Sequence, residues 1–167
     1  SALEANTTDF NTAVGFEALQ VNTTGANNSA LGYRVMNNNI TGSNNTAVGR
    51  QALNLNTTSN NNVAVGYQTL YSMSSTGDAN KSTAVGYQAG YNSSLNVDAF
   101  GSQALYSNTT GVLSVAIGRE ALYSNTTASN NTAVGYQAGY SNNGGQNTFV
   151  GYQSALDNTT GGFNVSL

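Results

Sequence analysis

The sequence predicts an all-β fold, a parallel β-solenoid or β-roll of about nine 17-residue coils. Three observations predict it. A short motif returns nine times at one dominant period, each unit carries an apolar stretch of only five to eight residues, and tracts of Asn, Thr, Ser and Gly separate those stretches.

The motif reads TAVGFEAL from Thr12, SALGYRVM from Ser29, TAVGRQAL from Thr46, VAVGYQTL from Val63 and TAVGYQAG from Thr83. It continues as DAFGSQAL from Asp98, VAIGREAL from Val115, TAVGYQAG from Thr132 and TFVGYQSA from Thr148. Its glycines are Gly15, Gly32, Gly49, Gly66, Gly86, Gly101, Gly118, Gly135 and Gly151, spaced 17, 17, 17, 20, 15, 17, 17 and 16 residues apart. This period is too short for a helix pair, which needs roughly 33 residues or more. Tracts such as NTTGANN from Asn22 and NTTASNN from Asn125 form turns and compete with helix through local side-chain hydrogen bonds. Residues 1–167 therefore read as a single repeat array. With strands stacked at roughly 4.7–4.9 Å, nine coils make a rod roughly 40–45 Å long.

Each column has an expected role. The residue before the glycine is always large and apolar, from Val14 through Leu31, Val85, Phe100 and Ile117 to Val150, and the one before that is Ala in eight copies and Phe149 in the ninth. In a strand these two positions face opposite ways. The bulky column is expected inside the coil and the small one against another surface. A second apolar column, Leu19, Met36, Leu53, Leu70, Leu105 and Leu122, lies four residues after the glycine. One thin coil cannot bury two opposed faces alone, so several chains packed around an axis are expected. Gln51, Gln68, Gln88, Gln103, Gln137 and Gln153, two after their glycines, are placed to form a ladder of stacked amides.

Composition removes most chemistry. The chain has no His, Cys, Pro or Trp, and half of its 167 residues are Asn, Thr, Ser or Gly. Without imidazole or thiol there is no general base of that kind, no thiolate nucleophile and no soft metal site. Only 7 % of residues are charged, so neither a nucleic-acid footprint nor a polybasic membrane patch is present. No apolar run approaches the roughly 20 residues that span a bilayer. The acidic residues Glu17, Glu120, Asp78, Asp98 and Asp157 are dispersed rather than paired. No enzymatic activity and no cofactor or metal is expected.

Two sets of residues are candidates for surface function. Asn22, Asn39, Asn56, Asn108, Asn125 and Asn158 each satisfy the Asn-x-Ser/Thr acceptor rule, and their placement in turns predicts that they are exposed candidates for glycosylation. Asn27, Asn44 and Asn130 form a partial second column. Tyr71, Tyr91, Tyr106, Tyr123 and Tyr140, five after their glycines, form either an aromatic strip for binding sugars or inter-coil packing. A break in the repeat is a further place for a binding site, and the segment from Tyr71 to Asp78 makes the 20-residue spacing.

The columns of Ala-Val/Ile-Gly-x-x-Ala, as in TAVGYQA at Thr83 and Thr132, VAIGREA at Val115 and TAVGRQA at Thr46, resemble the head repeats of trimeric autotransporter adhesins (YadA-like heads) and similar arrays in phage tail fibres. The resemblance covers nearly the whole chain. It implies a left-handed parallel β-roll, assembled as a trimer and displayed outside the cell or on a virion. The unit is longer than the usual adhesin-head repeat because of the Asn-Thr-Thr tract, and no heptad stalk, neck or anchor accompanies it, which favours the fibre side of the resemblance. The expected function is a structural segment of an extracellular or virion fibre, with self-association as a homotrimer or head-to-tail filament. The alternative is an adhesin module that binds glycans or a receptor. Ice binding is a variant of that class, disfavoured because the Thr pairs fall in turn tracts. The ends point the same way: Ser1-Ala2-Leu3 matches the part of a repeat after its glycine and Asn164-Val165-Ser166-Leu167 the part before it, as expected of a piece of a continuous array.

Overall fold

The computed structural model describes residues 1–73 and 81–167. It is a parallel β-solenoid. The strands are β1 (Thr12–Val14), β2 (Ser29–Leu31), β3 (Thr46–Val48), β4 (Val63–Val65), β5 (Thr83–Val85), β6 (Val97–Phe100), β7 (Ser114–Ile117), β8 (Thr132–Val134), β9 (Thr148–Val150) and β10 (Val165–Ser166). They form one sheet in sequence order, every pair parallel and in motif register, so that Ala13 lies opposite Ala30, Ala30 opposite Ala47, and Val165 opposite Thr148. No helix occurs among the described residues.

Strands β1 to β9 each end at a motif glycine for a steric reason. These glycines have φ of 130–142°, a region that an L side chain rarely enters. A Cβ on Gly118 would lie 2.3 Å from the carbonyl oxygen of Gly135 in the next coil. The chain then turns through left-handed residues two and four positions on, such as Gln51 (φ 58°) and Leu53 (φ 49°). Left-handed Leu carries a steric cost of about 1–2 kcal/mol. Inter-coil hydrogen bonds offset it: Gln51 N donates to Tyr33 O (2.9 Å) and Leu53 N to Thr69 O (3.0 Å). A third left-handed corner precedes every strand but β6, at Asn27, Asn44, Asn61, Lys81, Leu113 and Asn130 among others.

The facing of the strand columns is the reverse of the sequence expectation. Ala47, Ala64, Ala84, Ala99, Ala116 and Ala133 have no exposed surface, whereas Val14 is 57 % exposed, Leu31 50 % and Ile117 43 %. The second apolar column explains it. Leu19, Met36, Leu53, Leu70, Leu105 and Leu122 are fully buried and occupy the thin interior, leaving room for only a methyl group from the strand. The exception follows the same rule. Phe149 replaces Ala in the last motif, and the leucine position of that coil is Gly139, where a Cβ would lie 2.5 Å from the Phe149 ring. The large and small residues have exchanged sides at nearly constant volume.

The turn tracts also point inward. Asn22, Asn39, Asn56, Asn108 and Asn125 are fully buried, which corrects the expectation that turn placement exposes them. Asn39 Nδ2 donates to Asn22 Oδ1 (2.7 Å) and to Gly42 O (2.9 Å), and Asn56 Nδ2 to Asn39 Oδ1 (2.7 Å). The column is an amide ladder inside the coil, each member satisfying its neighbour and its own turn. A second ladder lies six residues on: Asn45 N donates to Asn28 Oδ1 (3.0 Å) and Asn62 N to Asn45 Oδ1 (2.9 Å).

Candidate functional site

What the solenoid offers to other molecules is set by its outer columns. The first is the large residue of each strand. Val14, Leu31, Val85, Phe100, Ile117 and Val150 are between 37 and 57 % exposed and run along one face of the sheet. Beside them, one residue past the glycine, runs an aromatic column. Phe16 stacks on Tyr33 (centroids 5.5 Å), Tyr67 on Tyr87 (5.4 Å) and Tyr136 on Tyr152 (5.3 Å). Where Arg50 replaces an aromatic, its guanidinium sits between the rings of Tyr33 (5.4 Å) and Tyr67 (5.8 Å), so stacking continues through a cation. Together these columns form an apolar surface long in one direction and narrow in the other.

The second candidate is the tyrosine column. Tyr71, Tyr91, Tyr106, Tyr123 and Tyr140 stack in one unbroken series, with centroids 5.0–5.2 Å apart and ring planes within 2–14°. Each ring covers a face of the next, so the interior rings present edges and hydroxyls to solvent rather than faces. Sugar binding by aromatic stacking uses the face, and only the terminal rings keep one free. Burial, with the neighbouring phenols Tyr71 and Tyr106, holds the Tyr91 hydroxyl above its ordinary pKa of 10.0; Tyr123 is raised in the same way, by burial and then by Tyr140, Tyr106 and Glu120.

The Gln column forms the expected ladder. Gln68 Nε2 donates to Gln51 Oε1 (3.1 Å), Gln88 to Gln68 (2.9 Å), Gln103 to Gln88 (3.2 Å) and Gln153 to Gln137 (2.8 Å). Glu120 takes a Gln position and accepts from Gln137 (2.6 Å), and that bond, together with Arg119, holds its carboxyl below the usual range. Glu17, at the same register, pairs with Arg34 (2.6 Å). Both glutamates are thus tied into coil-to-coil contacts.

No protein-family model, curated protein or solved structure matches the chain.

Among the sequon asparagines, Asn158 is the one with partial exposure, and its Nδ2 donates to Asn142 Oδ1 (2.9 Å). The nitrogen that a glycan would occupy is engaged inside the ladder in every one of the six. Asn27, Asn44 and Asn130 are exposed left-handed corner residues, and the true second ladder starts one position later, at Asn28, Asn45 and Asn131. The only sequence signal for it was the side-chain type, repeated in step with the strand. Of the segment Tyr71 to Asp78 singled out in the sequence, residues from 74 onward lie outside the described residues.

Proposed function

We propose that the chain is a structural segment of an extracellular or virion fibre, in which copies pack side by side, three to a particle, through the exposed column from Val14 to Val150. One observation carries this reading: a continuous row of large apolar side chains lies on the outside of the coil, where a lone chain leaves it wet. Contiguous apolar surface of this kind marks a contact with another molecule. The partner is a second copy, because a repeating column matches an identical repeating column along its whole length, and the stacked rings beside it, 9–15° out of parallel, keep the face straight enough for that match. The interior supports the same role. It is filled by Asn ladders that repeat from coil to coil, a construction suited to length, and the part-buried Gln column, its glutamates included, forms a further ladder.

Sedimentation equilibrium of the purified chain tests this. The expected particle is a multiple of the 17.2 kDa protomer, with a trimer at 51.6 kDa (three times 17.2). Val134→Asp, placed on the outer column, is expected to leave the circular dichroism spectrum intact and to convert the particle to a monomer. A parent chain that sediments as a monomer at micromolar concentration overturns the proposal.

A further inference from the structure

The coil from Gly86 to Gly101 is the shortest, at 15 residues, and the place where it is shortened can be read directly. Ser93 occupies the first-ladder position, where it accepts from Asn108 Nδ2 (3.3 Å), and Val97 pairs in register with Ser114. Five residues, 93–97, therefore do what seven, 108–114, do in the next coil. The missing two come out of the turn, so its outer wall draws in while the next coil keeps its longer turn. The result is a half-open hollow of about 370 Å³. Its size is at the lower end of small-ligand sites.

The walls combine unlike chemistry. Lys81, from the coil before, and Asp98, at the start of β6, carry opposite charges, yet no ion pair joins them among the described residues. Asn96 lines the same hollow, and its Oδ1, shielded from solvent, has no hydrogen-bond partner among the described residues. Val97, Leu113 and Val115 supply an apolar side, with Leu113 68 % exposed at its rim, and Ser114 lies buried beside them. A cation and an anion that make no ion pair among the described residues, in one small hollow next to an unmet acceptor and an aliphatic wall, are complementary to a zwitterion. We propose that the hollow between Lys81 and Asp98 binds a small zwitterion of the α-amino-acid type. Its ammonium is held by the Asp98 carboxylate with Asn96 Oδ1, its carboxylate by the Lys81 ammonium, and its aliphatic body rests on Leu113 and Val115. The site lies at the break in the repeat and does not depend on the fibre reading.

The experiment is saturation-transfer NMR on the full chain with three probes of one shape: L-leucine, isoamylamine, which lacks the carboxylate, and 4-methylpentanoate, which lacks the ammonium. Leucine is expected to show saturable binding in the millimolar range, with each singly charged probe about tenfold weaker or more. Asp98→Asn and Lys81→Met are each expected to weaken leucine about tenfold while leaving the thermal melt of the chain unchanged. The proposal is overturned if leucine shows no saturable transfer, if either singly charged probe binds as well as leucine, or if both variants bind leucine as the parent does. The probe comparison uses the parent chain alone and decides the matter even if a variant fails to fold.

Discussion

Coils before Met73 and the coils that directly follow it are fastened by different side chains. In the first group two amide ladders run through the interior, Asn6–Asn22–Asn39–Asn56 and Asn11–Asn28–Asn45–Asn62. The outer column five past the glycine is also polar there: Asn37 donates to Glu17 O (3.0 Å) and Asn54 to Arg34 O (2.7 Å). From Met73 to Ser114 the interior ladders thin out. Met73 and Ser93 stand in the first, Ser82 and Val97 in the second, and full asparagine pairing resumes only with Asn108–Asn125 and Asn131–Asn147. Across that gap the tyrosine ladder runs without a break. It tolerates coils of 20 and 15 residues because the length changes lie in the turns, after the ring position. An amide ladder needs the same group at the same depth in successive turns and is interrupted by the same changes. Hydrogen-bonded stacking specifies register; aromatic stacking tolerates its local loss.

That contrast can be broken or sharpened. The largest effect is expected where both regions obey one rule. Gly32→Ala and Gly118→Ala place a methyl group 2.5 and 2.3 Å from the next coil's carbonyl at φ of 142 and 132°. Each is expected to cost about 4 kcal/mol in urea unfolding, and unequal losses would mean that the regions differ in backbone as well as in side chains. Next, Asn39→Ala leaves Asn22 Oδ1 without its donor and Gly42 O with only Asn28 Nδ2, and a loss of about 3 kcal/mol is expected, against about 1 kcal/mol for Ser93→Ala in the thinned region. Smaller again, Tyr106→Ala removes two ring stacks and is expected to cost about 2 kcal/mol, while Tyr106→Phe keeps them and costs about 0.5 kcal/mol or less. The smallest effect is one of pH. Tyr91 and Tyr123 bind their protons more tightly folded than unfolded, so their contribution to stability is complete below 10.0 and is lost as pH rises through the raised folded values. Melting temperature is expected to fall above pH 10 and to fall less in the Tyr91→Phe, Tyr123→Phe double variant.

The period, the strand positions, the parallel register and the Gln ladder were legible in the sequence, because each depends on spacing along the chain and spacing is all that a repeat displays. What was not legible depended on thickness. Reading Val14 and its column as interior assumed that larger apolar residues go inside; the coil is too thin for both Leu53 and Val48 to do so, and Leu53, arriving from the opposite wall, takes the space. The asparagines were misplaced for a related reason. A turn normally lies at the surface, but a coil of 17 residues has so narrow an interior that a side chain leaving the turn inward meets its copy in the next coil, 2.7 Å away at Asn39 and Asn22. A sharper sequence signal was available in the strictness of the Asn column itself, since an exposed turn accepts Ser or Asp as readily. The hollow at Lys81 and Asp98 was foreshadowed only as an irregularity in spacing.

Each described strand touches only the strand before it and the strand after it. The consequence is mechanical. The hydrogen bonds that join coils run along the axis, so tension applied along that axis opens them one row at a time rather than loading them together in shear. A solenoid built this way yields in steps. Each 17-residue coil that peels away releases about 50 Å of extended chain, net of the rise that it surrenders. The 20-residue and 15-residue units set a longer and a shorter step among otherwise equal ones. Force–extension traces of a single chain would therefore carry the repeat lengths as a ruler. Load borne this way is dissipated by losing turns at one end while the remaining turns stay intact.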